Sequence, residues 1–194
     1  MQIPLFPLST VLFPGGPLPL RIFETRYVDM IGDRMRNEAP FGVVLIREGN
    51  EAGEATTFDI GTLARITDFY QGSDGLLGVT AIGEQRFRIT AVSRQSDGLN
   101  VGEVELIADE QTTPLPPEFY SLAGILDSLL NDLGRLYAGL DRRLDDAGWV
   151  TNRFLEILPI DPGEKQRCLE QGDPVARLQL VREVLDVVRG PARS

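Results

Sequence analysis

The 194-residue sequence contains no histidine, one cysteine and one lysine. Without histidine there is no Ser-His-Asp or Cys-His nucleophile system and no imidazole-bound zinc or iron. The single thiol, Cys168, can form neither an internal disulfide nor a thiolate metal cluster. Lys165 stands in the segment GEKQ, which does not fit the phosphate-binding loop G-x-x-x-x-G-K-[ST]. We therefore expect no metal ion, no cofactor and no histidine-dependent catalysis.

Positive charge is also scarce, since the chain has 29 acidic and 19 basic residues and a net charge of -10. An acidic surface repels phosphate backbones, so we expect no nucleic-acid partner. Apolar runs are too short to span a membrane, and prolines from Pro4 onwards interrupt any signal-peptide pattern. These features predict a cytoplasmic protein. Composition alone does not exclude an enzyme that uses only carboxylates and arginines.

The first half of the chain has the pattern of β-strands. Two Asp-Gly pairs, Asp74-Gly75 and Asp97-Gly98, are typical of hairpin turns between apolar or alternating segments. The spacing of apolar residues predicts one helix over Glu24–Asn37, and the polar stretch Gly49–Thr57 predicts a surface loop. The segments that predict strands are 40–48, 58–71, 76–82, 86–91 and 99–107. Together they predict a small antiparallel barrel interrupted by one helix.

Composition changes at the segment Asp109–Pro117, whose three prolines disfavour any helix or strand. We place a barrel subdomain at 1–110, a Pro-rich linker at 111–117 and a helical bundle at 118–190. Leucines at steps of three and four predict a helix over 119–140 that breaks near Asn131 or Gly134. Asp161 and Asp173, each followed by proline, predict two further helix starts, and Gly190-Pro191 predicts the last helix end.

Four segments, in order along nearly the whole chain, resemble the N-terminal domain of Lon proteases. Lon is an ATP-dependent protease, and this domain is its substrate-binding module; the related domain of cereblon-type proteins is also similar. The segments are PLFPLSTVLFPGGPLPLRIFETRY (4–27), IGTLARI (60–66) with the turn SDG, GEQRFRI (83–89), and LPIDPGEKQ (158–166) with the following LE.

The resemblance implies an α+β fold: a PUA-like antiparallel β-barrel with one inserted helix, followed by a C-terminal helical bundle. It also implies recognition of unfolded or specific protein substrates, with a protease or chaperone as a further partner. The Ser-Lys dyad and the ATPase of Lon lie in other domains and have no counterpart here, so we expect a stand-alone, non-catalytic module. An RNA-binding module is the alternative, because PUA-like barrels elsewhere bind RNA, and a carboxylate-dependent small-molecule enzyme is a third interpretation.

Five residues are candidates for peptide binding. Arg21, Glu24 and Arg26 lie where a strand passes into the predicted helix, and surface ion pairs are their alternative role. Phe69 and Tyr70 are consecutive in a predicted strand and therefore point to opposite faces. We expect one of these aromatic residues in the core and the other exposed as a binding anchor. The expected binding place is a cleft between barrel and bundle.

Overall fold

A computed structural model of the chain describes residues 1–51, 55–72 and 74–189. The chain divides into two compact units, Met1–Asp109 and Glu110–Ser194. Within the described ranges, no helix is both long enough and apolar enough to cross a membrane. The division into a barrel subdomain at 1–110, a linker at 111–117 and a helical bundle at 118–190 stays a prediction.

The first unit consists of β-strands and one helix, α1. The helix predicted over Glu24–Asn37 is confirmed, since α1 covers Thr25–Arg36. The strands are β1 (Gln2–Leu8), β2 (Pro17–Ile22), β3 (Phe41–Gly49), β4 (Ala55–Thr57), β5 (Ile60–Gln71), β6 (Leu77–Arg94) and β7 (Asn100–Leu106).

These strands form one mixed sheet in the order β1-β7-β6-β5-β3-β4, with β2 paired to β6. Strand β1 also pairs with β3, near the other end of this order, so the sheet is partly closed. That pairing is parallel, whereas the other strand pairs are antiparallel and the sequence predicted only antiparallel pairs. Parallel neighbours need a long crossover connection, and β2 with α1 provides it.

Strand β1 is buried on both faces, which explains why it is an almost continuous apolar run. Ile3 and Leu5 point to an inner core, while Phe6 and Leu8 point to a second core against α1. The Phe6 ring stacks on Tyr27 of α1 with centroids 4.1 Å apart. The inner core contains Ile3, Leu5, Val44, Leu63, Phe87 and Val104.

Phe87 is fully buried in the inner core and packs against two glycines of neighbouring strands. A Cβ on Gly42 would lie 2.8 Å from Cζ of Phe87, and a Cβ on Gly61 would lie 2.7 Å from the same atom. Gly61 is also the register partner of Phe87. Both positions therefore require glycine, because the aromatic ring occupies the space of their side chains and a Cβ on Gly61 would also clash with the Val43 carbonyl oxygen.

Two local predictions for the first unit are wrong. The segments 76–82 and 86–91, predicted as separate strands, belong to the single strand β6 of 18 residues. The strand is continuous because β5 pairs along both parts of it, with register shifts that absorb the bend. The predicted loop Gly49–Thr57 contains β4, which pairs with the end of β3. Residues 52–54 of that loop lie outside the described residues.

The second unit is helical in its described residues. After a single 3-10 turn, the helices are α2 (Tyr120–Asp132), α3 (Arg135–Ala138), α4 (Ala147–Ile157), α5 (Pro162–Glu170) and α6 (Pro174–Arg189). The predicted break is confirmed, because Gly134 has a φ of 67° between α2 and α3. Asp161 and Asp173 each accept hydrogen bonds from first-turn backbone N–H groups, as predicted. The predicted stop at Gly190-Pro191 lies outside the described residues.

The Pro-rich segment predicted as a linker is joined to the start of α4 by backbone hydrogen bonds. The Leu115 N–H donates to the Asp145 carbonyl at 2.8 Å, and the Ala147 N–H donates to the Thr113 carbonyl at 2.8 Å. The Leu115 side chain is buried. Residues 113–115 are therefore held as part of the second unit.

A buried charged network lies in the second unit. The Arg153 side chain has no exposed surface, forms an ion pair with Glu156 and lies over the Trp149 ring at 5.7 Å. The Tyr137 hydroxyl donates to the Glu156 carboxylate at 3.4 Å, and the Lys165 ammonium donates to the Glu156 carbonyl at 3.4 Å. Burial raises the pKa of Glu156 to about 7, although the charge of Arg153 opposes this shift.

The packing of Phe87 predicts that Gly61→Ala lowers the free energy of unfolding by about 1 to 3 kcal/mol, because the added methyl group overpacks the inner core. Gly124→Ala is the matched control, since a Cβ there meets nothing within 4 Å. Gly124 lies inside α2, so its substitution should raise the free energy of unfolding by roughly 0.5 to 1 kcal/mol. Urea unfolding measures both values. Equal effects of the two variants would contradict this account of the core.

The raised pKa of Glu156 predicts a pH dependence of stability. The folded chain binds this proton more tightly, so the stabilising contribution is present below about pH 4.5 and is lost as the pH rises through about 7. No histidine titrates in that window. We expect the free energy of unfolding to fall between pH 5 and pH 8 by more in the wild type than in Glu156→Gln. Parallel pH profiles of the two proteins would show that Glu156 stays charged beside Arg153.

Candidate functional site

An apolar groove lies between the C-terminal end of α1 and strand β5. It has a volume of about 380 Å³, and Met35, Ala39, Ile66 and Phe69 form its apolar wall. Met35 and Ile66 also pack against the core beside α1, so the groove is an open continuation of that core. Because the groove is already open, an apolar side chain of a ligand can enter it without displacing the core.

One wall of the groove is a strand edge that no other described strand covers. Strand β5 pairs with β3 only through Thr62, Leu63 and Ala64, whereas its pairing with β6 continues to Gln71. The outer edge of β5 beyond Ala64 has no strand partner among the described residues and presents backbone groups at the groove, where the Phe69 N–H donates to the Asp68 carboxylate at 2.9 Å. Such an edge can pair with an extended polypeptide.

Charged residues at the rim of the groove are held by ion pairs. Arg65 of β5 contacts Glu84 at 2.7 Å, and Arg34 of α1 donates from Nε to the Asp33 carboxylate at 3.0 Å. The hydrogen bond and charge of Arg34 hold the pKa of Asp33 below its usual range. Glu38 and Asp68 also lie at the rim. The rim therefore carries both signs of charge around an apolar centre.

Phe69 and Tyr70 are both exposed, by 58% and 52%, so the prediction that one of them lies in the core is wrong. The register pairs Phe69 with the buried Val79 and Tyr70 with Gly78, which places the two aromatic rings on opposite faces. Phe69 is on the core side of the strand, but β5 extends beyond its pairing with β3, and the ring lines the groove instead.

Tyr70 and Arg21 lie on the other face of this part of the sheet. Both are register partners of Gly78, one on each side of it. A Cβ on Gly78 would clash with the Tyr70 ring, so the ring lies flat over the glycine. Arg21 forms an ion pair with Asp74 in the hairpin turn. The surface ion pair considered for Arg21 is therefore present.

Glu24 and Arg26 lie at the N-terminal end of α1, about 14 Å along the helix axis from Met35. The Arg26 guanidinium contacts Glu24 at 2.8 Å, donates to the Gly98 carbonyl at 2.9 Å and lies 4.7 Å from the centre of the Tyr27 ring. Burial is the main cause that raises the pKa of Tyr27. The five predicted residues thus lie in three places, and only Phe69 is at the groove.

The sequence did not assign Met35, Ala39 and Ile66 to a site. Met35 belongs to the apolar face that predicted α1, and Ile66 belongs to the segment that predicted β5. That pattern predicts contact with a core but does not show where the contact becomes an open groove.

An enzyme that uses only carboxylates would need a carboxyl group of raised pKa in an accessible cavity. Glu156 has a raised pKa, but its carboxylate is paired with Arg153 and hydrogen-bonded by Tyr137. Among the described residues, no cluster of acidic or cysteine side chains could hold a metal ion. The geometry at Glu156 is therefore that of a buried structural pair.

Comparisons with known proteins agree with the resemblance seen in the sequence. Residues 2–187 match the family model of the ATP-dependent protease La (LON) substrate-binding domain. Lon protease of Anaeromyxobacter dehalogenans is 27% identical over 192 residues, which cover 95% of this chain and 23% of that protein. Protein cereblon of Danio rerio is 29% identical over 112 residues, which cover 56% of this chain and 26% of that protein. The chain thus spans about a quarter of the length of these relatives.

Two solved structures have the same fold. A Lon N-terminal domain protein from Xanthomonas campestris is 36% identical, has a TM-score of 0.76, and the match covers 94% of this chain and 98% of that one. The N-terminal domain of a Mycobacterium avium complex Lon protease is 18% identical with a TM-score of 0.65 and shows the fold alone, over 95% of this chain and 97% of that one. The chain belongs to the family of Lon substrate-binding domains.

Proposed function

We propose that this protein binds extended segments of other proteins in the groove between α1 and β5 and catalyses no reaction itself. The observation that carries the proposal is an uncovered strand edge directly beside an apolar groove. The description of the matching family as a substrate-binding domain supports the same function.

The groove supplies apolar contact for one large side chain of the bound segment. Phe69 is more than half exposed and adaptable Met35 lies in the same wall. Covering such a surface removes apolar area from water, which is the main favourable term in most protein association. Folded proteins bury their apolar side chains, so an unfolded or extended segment is the natural partner.

The edge of β5 supplies main-chain hydrogen bonds that do not depend on the sequence of the bound segment. An added strand would pair with the residues between Arg65 and Gln71 and place alternate side chains toward the groove. Affinity would then come from the backbone and selectivity from the apolar side chain. The mixed charges at the rim select against neither acidic nor basic flanking residues.

The proposal includes the finer predictions from the sequence: a PUA-like barrel and a helical bundle that act as a recognition module in the cytoplasm. A protease or chaperone is the proposed receiver of the bound protein. The net charge of -10 supports a protein partner rather than a nucleic acid.

Replacing Phe69 with alanine should weaken binding of fluorescently labelled, unfolded casein by about tenfold, because the bound segment loses a large apolar contact. Fluorescence anisotropy measures the dissociation constant. Phe23→Ala is the matched control, since Phe23 is 65% exposed in the same unit and does not line the groove. Weakening by Phe23→Ala with no effect of Phe69→Ala would place binding elsewhere and overturn the proposed site.

The absence of catalysis is tested with the purified chain, ATP and unfolded casein. We expect no phosphate release above the background and intact casein on a gel, because the chain has no phosphate-binding loop and no histidine. Activity that copurifies with the chain and disappears in a point variant of it would contradict a non-catalytic role.

A further inference from the structure

A second cavity of the first unit is separate from the groove and has a different chemical character. It has a volume of about 460 Å³, within the range of small-molecule sites. Its lining includes Pro7 at the end of β1 and Arg26 and Tyr27 at the start of α1. The hairpins β3–β4 and β6–β7 provide its other walls.

The wall formed by the hairpin β6–β7 carries positive charge. Arg94 and Asn100 are register partners there, so a guanidinium and an amide lie side by side. A Cβ on Gly98 would lie 3.4 Å from Nη1 of Arg26 and 3.4 Å from Nη2 of Arg94. Two guanidinium groups therefore converge on one turn, a geometry that favours a carboxylate between them.

Arg26 is held in place for such a contact. Its side chain is 13% exposed, and Glu24, the Gly98 carbonyl and the Tyr27 ring fix the guanidinium. Its buried Nε has no hydrogen-bond partner among the described residues. A fixed cation loses little conformational entropy when it binds a ligand.

The wall formed by the hairpin β3–β4 carries negative charge. Glu48 and Thr56 are register partners, which places a carboxylate beside a hydroxyl group. Glu51 adds a second carboxylate and is anchored to the end of β1, because it accepts a hydrogen bond from the Ser9 N–H at 2.7 Å. The cavity therefore has opposite charges on two walls.

We propose that this cavity binds a zwitterionic ligand, a free amino acid or a short peptide with free termini. The ligand carboxylate faces Arg26 and Arg94, and its ammonium group faces Glu48 and Glu51. A purely anionic ligand would meet the two carboxylates, and a purely cationic one would meet the two guanidinium groups; only a dipolar ligand complements both walls. Pro7 and the Tyr27 ring leave the middle of the cavity for apolar or backbone atoms.

The test is an NMR titration of the full 194-residue chain with four probes. Glycine and glycyl-glycine carry both charges, N-acetylglycyl-glycine lacks the ammonium group, and glycyl-glycine amide lacks the carboxylate. We expect saturable shifts of the backbone amide signals of Asn50, Gly98 and Asn100 with a zwitterion, and about tenfold weaker binding of each blocked dipeptide. Tighter binding of glycine assigns the site to amino acids, and tighter binding of glycyl-glycine assigns it to short peptides.

Two variants test the two walls separately. Arg94→Gln and Glu48→Gln should each weaken binding of the better zwitterion by about tenfold, because each removes one charged partner. Arg88→Gln is the matched control, since Arg88 is an exposed arginine of the same strand outside the cavity. Phe69→Ala should leave these shifts unchanged, which separates this site from casein binding in the groove. Equal binding of the blocked and free dipeptides, or absence of saturable shifts, would overturn the proposal.

Discussion

The close packing of Phe87 against Gly42 and Gly61 is the constraint on which the first unit depends. These residues lie on β6, β3 and β5, three strands of the partly closed sheet. The aromatic ring fills the inner core only where both neighbours lack a side chain. With this space filled, β1 can pair with β3 on one edge and β7 on the other. Among the described residues of the inner core, Phe87 is the aromatic one.

The same strand pairings that partly close the sheet leave the outer edge of β5 uncovered. Strand β3 pairs with β1 along Leu5–Leu8 and leaves β5 after Ala64, so the end of β5 has no neighbour on its outer side in the described part of the chain. Helix α1 covers the core beneath but ends at Arg36, before it covers Phe69. The groove is thus present because β5 continues beyond the end of its pairing with β3 and beyond the end of α1. Its apolar character follows from the core that it continues.

The two proposed sites use opposite chemistry. The groove between α1 and β5 offers apolar surface and main-chain hydrogen bonds, whereas the cavity at the start of α1 offers fixed charges of both signs. They lie at the two ends of the same helix, whose residues Arg26 and Met35 line one site each. A ligand at one end therefore contacts an element that also forms the other site.

Much of the fold could be predicted from local patterns in the sequence. The helix at Glu24–Asn37, the break at Gly134 and the caps at Asp161 and Asp173 follow from apolar spacing, glycine and short acidic side chains, and the structure confirms them. The series of motifs also predicted the family, which the family model confirms. These features depend on residues a few positions apart, so the sequence by itself determined them.

The tertiary structure alone decided the parallel pairing of β1 with β3, the continuity of β6 and the exposure of both Phe69 and Tyr70. The alternation of a strand shows that consecutive residues face opposite sides, but not whether a neighbour covers either side. That depends on where β3 and α1 end relative to β5, which are contacts between residues far apart in the sequence. Whether a side chain is buried depends on packing between elements, and the local sequence pattern does not contain that packing.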